Sequence, residues 1–160
     1  MLSDRAVTWI VFAAVLYLVL FVGGVGLIAV VSGAGGDPDD PVLVARGGVL
    51  YGEHCAACHG TNLEGQPDWE TQNADGTFPA PPADGTGHAW EHSDRQLFEV
   101  VKFGGVRFSR PGVKSAMPSF EDELESADIW AILAFIKSRW PEEVRKEQQT
   151  RGLFSGPHLH

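Results

Sequence analysis

The chain has 160 residues and a net charge of -9, from 12 Lys and Arg set against 21 Asp and Glu. That length leaves room for one hydrophobic core and excludes a large multidomain enzyme, and the deficit of cations excludes a partner gripped through nucleic-acid phosphates. Two cysteines, three positions apart with a histidine next in line, make one disulfide at most, and their spacing points away from a structural bridge.

Taken in chain order, the first feature is apolar. Ala6 to Val31 runs 26 residues without an Asp, Glu, Lys, Arg or His, and about 20 such residues suffice to cross the hydrocarbon core as a helix. Residues 1–31 therefore read as an N-terminal signal anchor and transmembrane helix. Trp9 and Tyr17 suit an interfacial and a bilayer position, and Gly23, Gly24 and Gly26 are tolerated where helix is the backbone's best option. Only Arg5 flanks the amino side, which places the amino terminus in the cytoplasm and the rest of the chain outside. The competing reading is a cleaved leader ending at the small residues Ser32-Gly33-Ala34, but its apolar region is longer than the roughly 7–15 residues usual for one. Residues 32–41, rich in Gly, Asp and Pro, form a linker that reaches about 35 Å at full extension, so the domain that follows stays near the membrane.

Cys55-Ala56-Ala57-Cys58-His59 has the attachment pattern for c-type haem, in which two thiols add to the porphyrin vinyl groups and the adjacent imidazole binds iron. Residues three apart share a helical face, so both sulfurs reach one edge of a planar ring while the next residue turns toward its centre. A redox dithiol would leave His59 unused, and half of a zinc site would need a second ligand pair that the chain lacks. With Gly47, Leu50 and Tyr51 before it and Gly60 after it, the motif resembles the opening of a class I cytochrome c, and the likeness extends over roughly Pro41 to Trp140. The resemblance implies an all-α, cytochrome c-like domain over residues 42–140 in which a first and a last helix cross. Gly47 would permit their close approach and Tyr51 would pack on the last helix. It also implies one covalently bound haem c held by Cys55 and Cys58. Pro81 and Pro82 lie where the family often has a proline carbonyl that accepts a hydrogen bond from the proximal imidazole, and the sequence does not choose between them.

Iron held by one histidine has an open face, and what fills it separates electron transfer from ligand binding. Met117, in Ala116-Met117-Pro118-Ser119-Phe120, matches the position of the family's ligand methionine, so His59 and Met117 are the expected axial pair; His54, His88 and His92 are the substitutes. Ser93-Asp94-Arg95-Gln96 reads as a capping box opening a middle helix, with Leu97, Val100 and Val101 on its apolar side and Gly104 at its end. Ile129, Ile132, Leu133, Ile136 and Trp140 form one apolar stripe along a closing helix from Ser126 to Trp140. Pro141, Glu142 and Glu143 suit the first turn of a further short helix that Gly152 would stop, so residues 141–160 are expected as a polar, peripheral helix and tail. Residues 156–160 are assigned no role.

The stretch from Thr61 to Ser93 departs from the family pattern by its length. Between Glu64 and Asp94 lie Glu64, Asp68, Glu70, Asp75, Asp84, Glu91 and Asp94 with no Lys or Arg, an acidic lobe. Val100 to Phe120 instead holds Lys102, Arg107, Arg110 and Lys114 and no acid, a basic strip leading into Met117. Such asymmetry would steer an acidic redox partner, though charge runs are also ordinary solvated surface. His88 and His92, four apart, make at best a weak metal pair.

These readings converge on a membrane-anchored carrier of single electrons at the outer face of a bacterial inner membrane, with its haem domain on the periplasmic side. Respiratory or photosynthetic redox proteins would be its partners, such as a quinol-oxidising complex, a terminal oxidase or a reaction centre. The alternative is a haem sensor or peroxidase-like enzyme in which Met117 only packs and the iron keeps an open site. A purely structural membrane module is the third option, and the haem motif argues against it.

Overall fold

The computed structural model describes Trp9 and residues 16–17, 35–109 and 113–154. It divides into two units, residues 1–34 and 35–160. In the first, Trp9, Leu16 and Tyr17 are helical and exposed; the remainder of the expected span over 6–31 lies outside the described residues. Among the described residues no helix is long and apolar enough to cross a membrane. Ser32 to Ala34, Arg110 and residues 156–160 also lie outside them.

The described residues of the second unit form five helices, α1 Pro41–His54, α2 Ala56–His59, α3 Asp94–Phe103, α4 Ser126–Ser138 and α5 Glu142–Phe154, with 3-10 turns at Ala89–Glu91 and Gly105–Phe108. No strand occurs among the described residues. α1 begins where Pro41 pre-sets the backbone and the Asp40 carboxylate accepts from the amides of Val42 (2.8 Å) and Leu43 (3.2 Å), so two otherwise unpaired donors are satisfied. α3 opens on the expected capping box: the Ser93 hydroxyl accepts from the Gln96 amide, and the Gln96 side chain accepts from the Ser93 amide at 2.9 Å. Gly104, at φ +80°, ends it.

α1 and α4 form the principal helix pair. They cross at Gly47, where an added Cβ would stand 1.8 Å from the Ala131 carbonyl oxygen, so only a residue without a side chain lets the backbones meet. One turn on, the Tyr51 ring lies 5.3 Å from that of Phe135. On another side, Phe98 of α3 stacks on Trp130 of α4 at 4.6 Å. α4 is therefore not the one-striped helix that its spacing suggests. Ile129, Ile132 and Leu133 are buried as expected, as is Trp140, which lies beyond the end of α4 at Ser138 rather than within it, but Ala131, Ala134, Phe135 and Lys137 are buried too, whereas Ile136 is half-buried. A helix enclosed on several sides is apolar nearly all round. Ile129 and Ile132 are fully buried, each contributing about 1.5–3 kcal/mol.

The carboxy-terminal helix also departs from expectation. α5 continues through Gly152 to Phe154, and it is docked rather than peripheral. Gln148 is 3% exposed and donates to the Asp94 carboxylate (2.7 Å) and the His92 carbonyl (3.2 Å). Asp94 is in turn bound by the Lys137 ammonium at 2.8 and 2.9 Å. One carboxylate thus joins the start of α3, the end of α4 and the middle of α5. Arg145 reaches Asp39 (3.1 Å) and the Arg151 guanidinium lies 4.9 Å from the Trp90 ring.

Candidate functional site

Cys55, Cys58 and His59 are brought together by the junction of α1 and α2. The Cys55 amide still bonds the Tyr51 carbonyl (2.9 Å), and the Cys58 and His59 amides both return to the Cys55 carbonyl (3.1 and 2.9 Å). One tight turn therefore carries two sulfurs and an imidazole. Both cysteines are free thiols, Cys55 half-buried and Cys58 exposed. Burial, with the nearby Cys58 adding to it, pushes the Cys55 thiol up to about 11, so it is a neutral thiol at physiological pH and not a ready-made thiolate nucleophile.

The turn ends on Gly60 at φ +80°, whose carbonyl accepts from the Tyr51 hydroxyl at 2.8 Å. Burial, followed by smaller contributions from neighbouring acidic groups, raises the Tyr51 phenol above its ordinary value. Beyond Gly60 the chain folds back on itself. The His59 carbonyl accepts from the Gly65 amide (2.8 Å), the Gln66 amide bonds the Ala80 carbonyl (2.9 Å), and the Ala83 amide bonds the Leu63 carbonyl (2.8 Å). At Gly65, φ +70°, an added Cβ would fall 2.5 Å from the Pro82 nitrogen.

This pairing delivers the Pro81 carbonyl to within 2.9 Å of His59 Nδ1. Of the two prolines left open by the sequence, Pro81 is the partner. A carbonyl only accepts, so Nδ1 carries the proton and Nε2 is the nitrogen with a free lone pair for a metal. A hydrogen-bonded second nitrogen is the usual device for fixing the tautomer and ring direction of a metal-binding histidine. Trp140, expected only as part of the apolar stripe, has a further role here. Its buried indole N–H donates to the Ala83 carbonyl at 2.8 Å, tying the end of the closing helix to the segment that carries Pro81. The signal in the sequence was the residue type, because a buried indole N–H normally finds an acceptor.

Met117 lies in the 113–120 segment, which has no regular structure. Its side chain is half-buried against the core. Its carbonyl accepts from Gly105 (3.3 Å) and its amide donates to the Ser115 hydroxyl (3.2 Å). Two residues on, the Ser119 hydroxyl and the Phe120 amide both donate to the Lys102 carbonyl, at 2.8 and 3.2 Å. The end of α3 thus holds the methionine segment. Gly104 and Gly105 allow this closeness, since a Cβ on Gly104 would lie 3.1 Å from the Met117 carbonyl oxygen.

The other histidines are placed differently. His54 meets the Phe120 ring edge-on at 6.1 Å, with Glu123 at 3.9 Å. His88 stacks on Trp69 at 5.7 Å and meets His92 edge-on at 5.6 Å. Among the described residues no group of three or more His, Cys, Asp and Glu is arranged to hold a metal ion. The basic strip is not uniform either. Lys102 and Arg107 lie over the Phe103 ring (5.5 and 5.6 Å), whereas the Lys114 ammonium turns to the acidic lobe and donates to the Asp75 carbonyl at 3.1 Å.

The donor set fits a covalently held haem: two unpaired thiols on one turn, an imidazole with Nδ1 already bonded, and a half-buried thioether on a neighbouring segment. A family model described as cytochrome c matches residues 44–140. Among solved structures, cytochrome cL from the marine methylotrophic bacterium Methylophaga aminisulfidivorans MPT is similar over 77% of this chain and 73% of that one, at 19% identity and a TM-score of 0.44. No curated protein matches the sequence.

Proposed function

This chain belongs to the cytochrome c family, and we propose that it is a membrane-anchored, single-haem electron carrier in which His59 and Met117 are the axial ligands. Membership makes it a haem-based electron carrier with a covalently attached c-type haem. When bound, the haem supplies an iron that gains and loses one electron. Cys55 and Cys58 stand at the spacing for thioether attachment, and Pro81 holds the proton of His59 on Nδ1. Met117 presents a neutral sulfur, which raises the reduction potential and leaves no position for substrate. The buried ring of Tyr51, with Leu63, Phe120 and Phe135, excludes water from the surrounding core.

The observation that carries this reading is the His59–Pro81 hydrogen bond, because it prepares a metal-binding nitrogen and does nothing for a dithiol. Anchoring is supported by the 26 residues from Ala6 to Val31 that lack Asp, Glu, Lys, Arg and His, and it would hold the haem domain at the periplasmic face of a bacterial inner membrane. Partners would be a quinol-oxidising complex, a terminal oxidase or a reaction centre. Phe103 and Val106, 37% and 66% exposed, form with Lys102 and Arg107 an apolar centre beside cations, suited to an acidic partner surface.

Carbon monoxide tests the axial pair. The reduced holoprotein should bind it slowly and weakly, and the oxidised protein should show a sulfur-to-iron charge-transfer band. Rapid, stoichiometric binding without that band would replace the carrier with the sensor or peroxidase-like reading.

A further inference from the structure

We infer that the tip of the 61–93 loop is a positioning element for Met117, acting through Lys114; the inference rests on the reading of Met117 as an axial ligand. A thioether is a neutral ligand, so its occupancy depends on how far the backbone that carries it is pre-organised. Among the described residues, the segment around Met117 has no ladder or helix of its own. On its carboxy side, Met117, Ser119 and Phe120 are held by Gly105 and Lys102. On its amino side, among the described residues, the fastening of Lys114 comes from the acidic loop. The Gly76 carbonyl accepts from the Lys114 amide at 3.3 Å and the Asp75 carbonyl accepts from the Lys114 ammonium at 3.1 Å.

The loop tip is built to present those two carbonyls. The Asp75 carboxylate accepts from the Thr77 amide (2.9 Å) and hydroxyl (2.7 Å), and Asn73 bonds Thr77 through both backbone (2.8 Å) and side chain (3.1 Å). Gln72 donates to the Gly76 carbonyl at 2.9 Å. Gly76 sits at φ +87°, and a Cβ placed there would lie 3.7 Å from Lys114 Cδ, so the lysine stem runs along the turn. Thr77 first, and Lys114 more weakly, hold the exposed Asp75 carboxyl below its usual range. Lys114 is thereby joined to the loop, apart from Lys102 and Arg107 over the Phe103 ring.

The test uses the oxidised holoprotein with imidazole as the competing ligand, since imidazole binds the iron only where the sulfur lets go. Lys114→Leu, which removes the ammonium bond to the Asp75 carbonyl, and Asp75→Ala, which removes the Thr77 bonds that shape the turn presenting that carbonyl, should each lower the imidazole dissociation constant about tenfold, the size expected from losing one or two hydrogen bonds. Both should also weaken the charge-transfer band. Lys114→Arg should restore both values toward those of the unmodified protein, and Glu143→Gln, on α5, should change neither. A purely structural role would lower the melting temperature and leave imidazole affinity alone. An unchanged dissociation constant in Lys114→Leu, which removes an exposed side chain and adds no sulfur that could replace Met117, overturns the inference even if Asp75→Ala fails to fold. A missing charge-transfer band in the unmodified protein would instead remove the Met117 reading itself, and the inference with it.

Discussion

Replacing Gly47 by alanine adds one methyl group to the face of α1 that crosses α4, and the structure makes its cost calculable. Alanine is favoured over glycine in a helix interior by about 1 kcal/mol, so the intrinsic effect is stabilising. Against it, the new Cβ would lie 1.8 Å from the Ala131 carbonyl oxygen, 2.4 Å from the Ala131 carbonyl carbon and 2.9 Å from Phe135 Cβ. Non-bonded carbon contacts settle near roughly 3.5 Å, so the two helices must part by more than about 1 Å. The obstacle is backbone, which does not rotate away. Overpacking of this kind costs about 1–3 kcal/mol, and opening the principal helix pair puts this case at or beyond the upper end. The net expectation is a loss of about 2–3 kcal/mol. Two glycines on the same helix serve as internal standards. At Gly52 an added Cβ meets nothing within 4 Å, and Gly52→Ala should gain about 0.5–1 kcal/mol. At Gly48 it meets only the Phe135 ring, at 3.2 Å, and Gly48→Ala should fall between the two. Guanidinium titration of the holoproteins, followed by helical circular dichroism, gives all three values. If Gly47→Ala proved as stable as Gly52→Ala, the close crossing of α1 and α4 would be wrong.

Three further outcomes follow from single contacts. Trp140→Phe leaves the Ala83 carbonyl without its indole donor; denaturant titration should show a loss of about 1–3 kcal/mol, and the reduction potential should shift because the segment bearing Pro81 loses its tie. Lys137→Met removes the cation from Asp94, whose side chain is 35% exposed against 7% for Lys137. The expected loss is about 2 kcal/mol, below the 3–5 of a fully buried pair, with protease sensitivity rising in α5 as Gln148 loses an ordered partner. Tyr51 provides the pH dependence. Burial raises its phenol in the folded state above the unfolded value of about 10. The stability tied to the neutral phenol is complete below that pH and falls as pH rises beyond it, with a slope approaching 1.4 kcal/mol per unit for about one proton. Tyr51→Phe should flatten that alkaline slope in the reduced protein while costing about 1 kcal/mol at neutral pH for the lost bond to Gly60.

What could be read in the sequence was what local chemistry decides. The Cys55–His59 turn, the Ser93 box, the Gly104 stop and the periodic core of α4 each depend on residues within a few positions of one another. The role of Gly47 came from family likeness, and its physical reason is visible only where Ala131 meets it. The choice of Pro81 over Pro82 depends on the pairing of Leu63 and Gln66 with Ala83 and Ala80, which no local pattern encodes. Burial of Gln148 in a helix as polar as α5 had no signal either, because its partners lie 54 and 56 positions away. Charge alone groups Lys114 with its cationic neighbours, and its contact with Asp75, 39 positions earlier, has no local signal.

Whether His59 and Met117 would together hold the haem iron, as proposed, is decided by potentiometric titration of the holoprotein beside Met117→His. One single-electron wave is expected in each, with the variant lower by on the order of a few hundred millivolts, since replacing sulfur by a second imidazole would remove the ligand that raises the potential. Equal midpoints and superimposable spectra for the two proteins would contradict it.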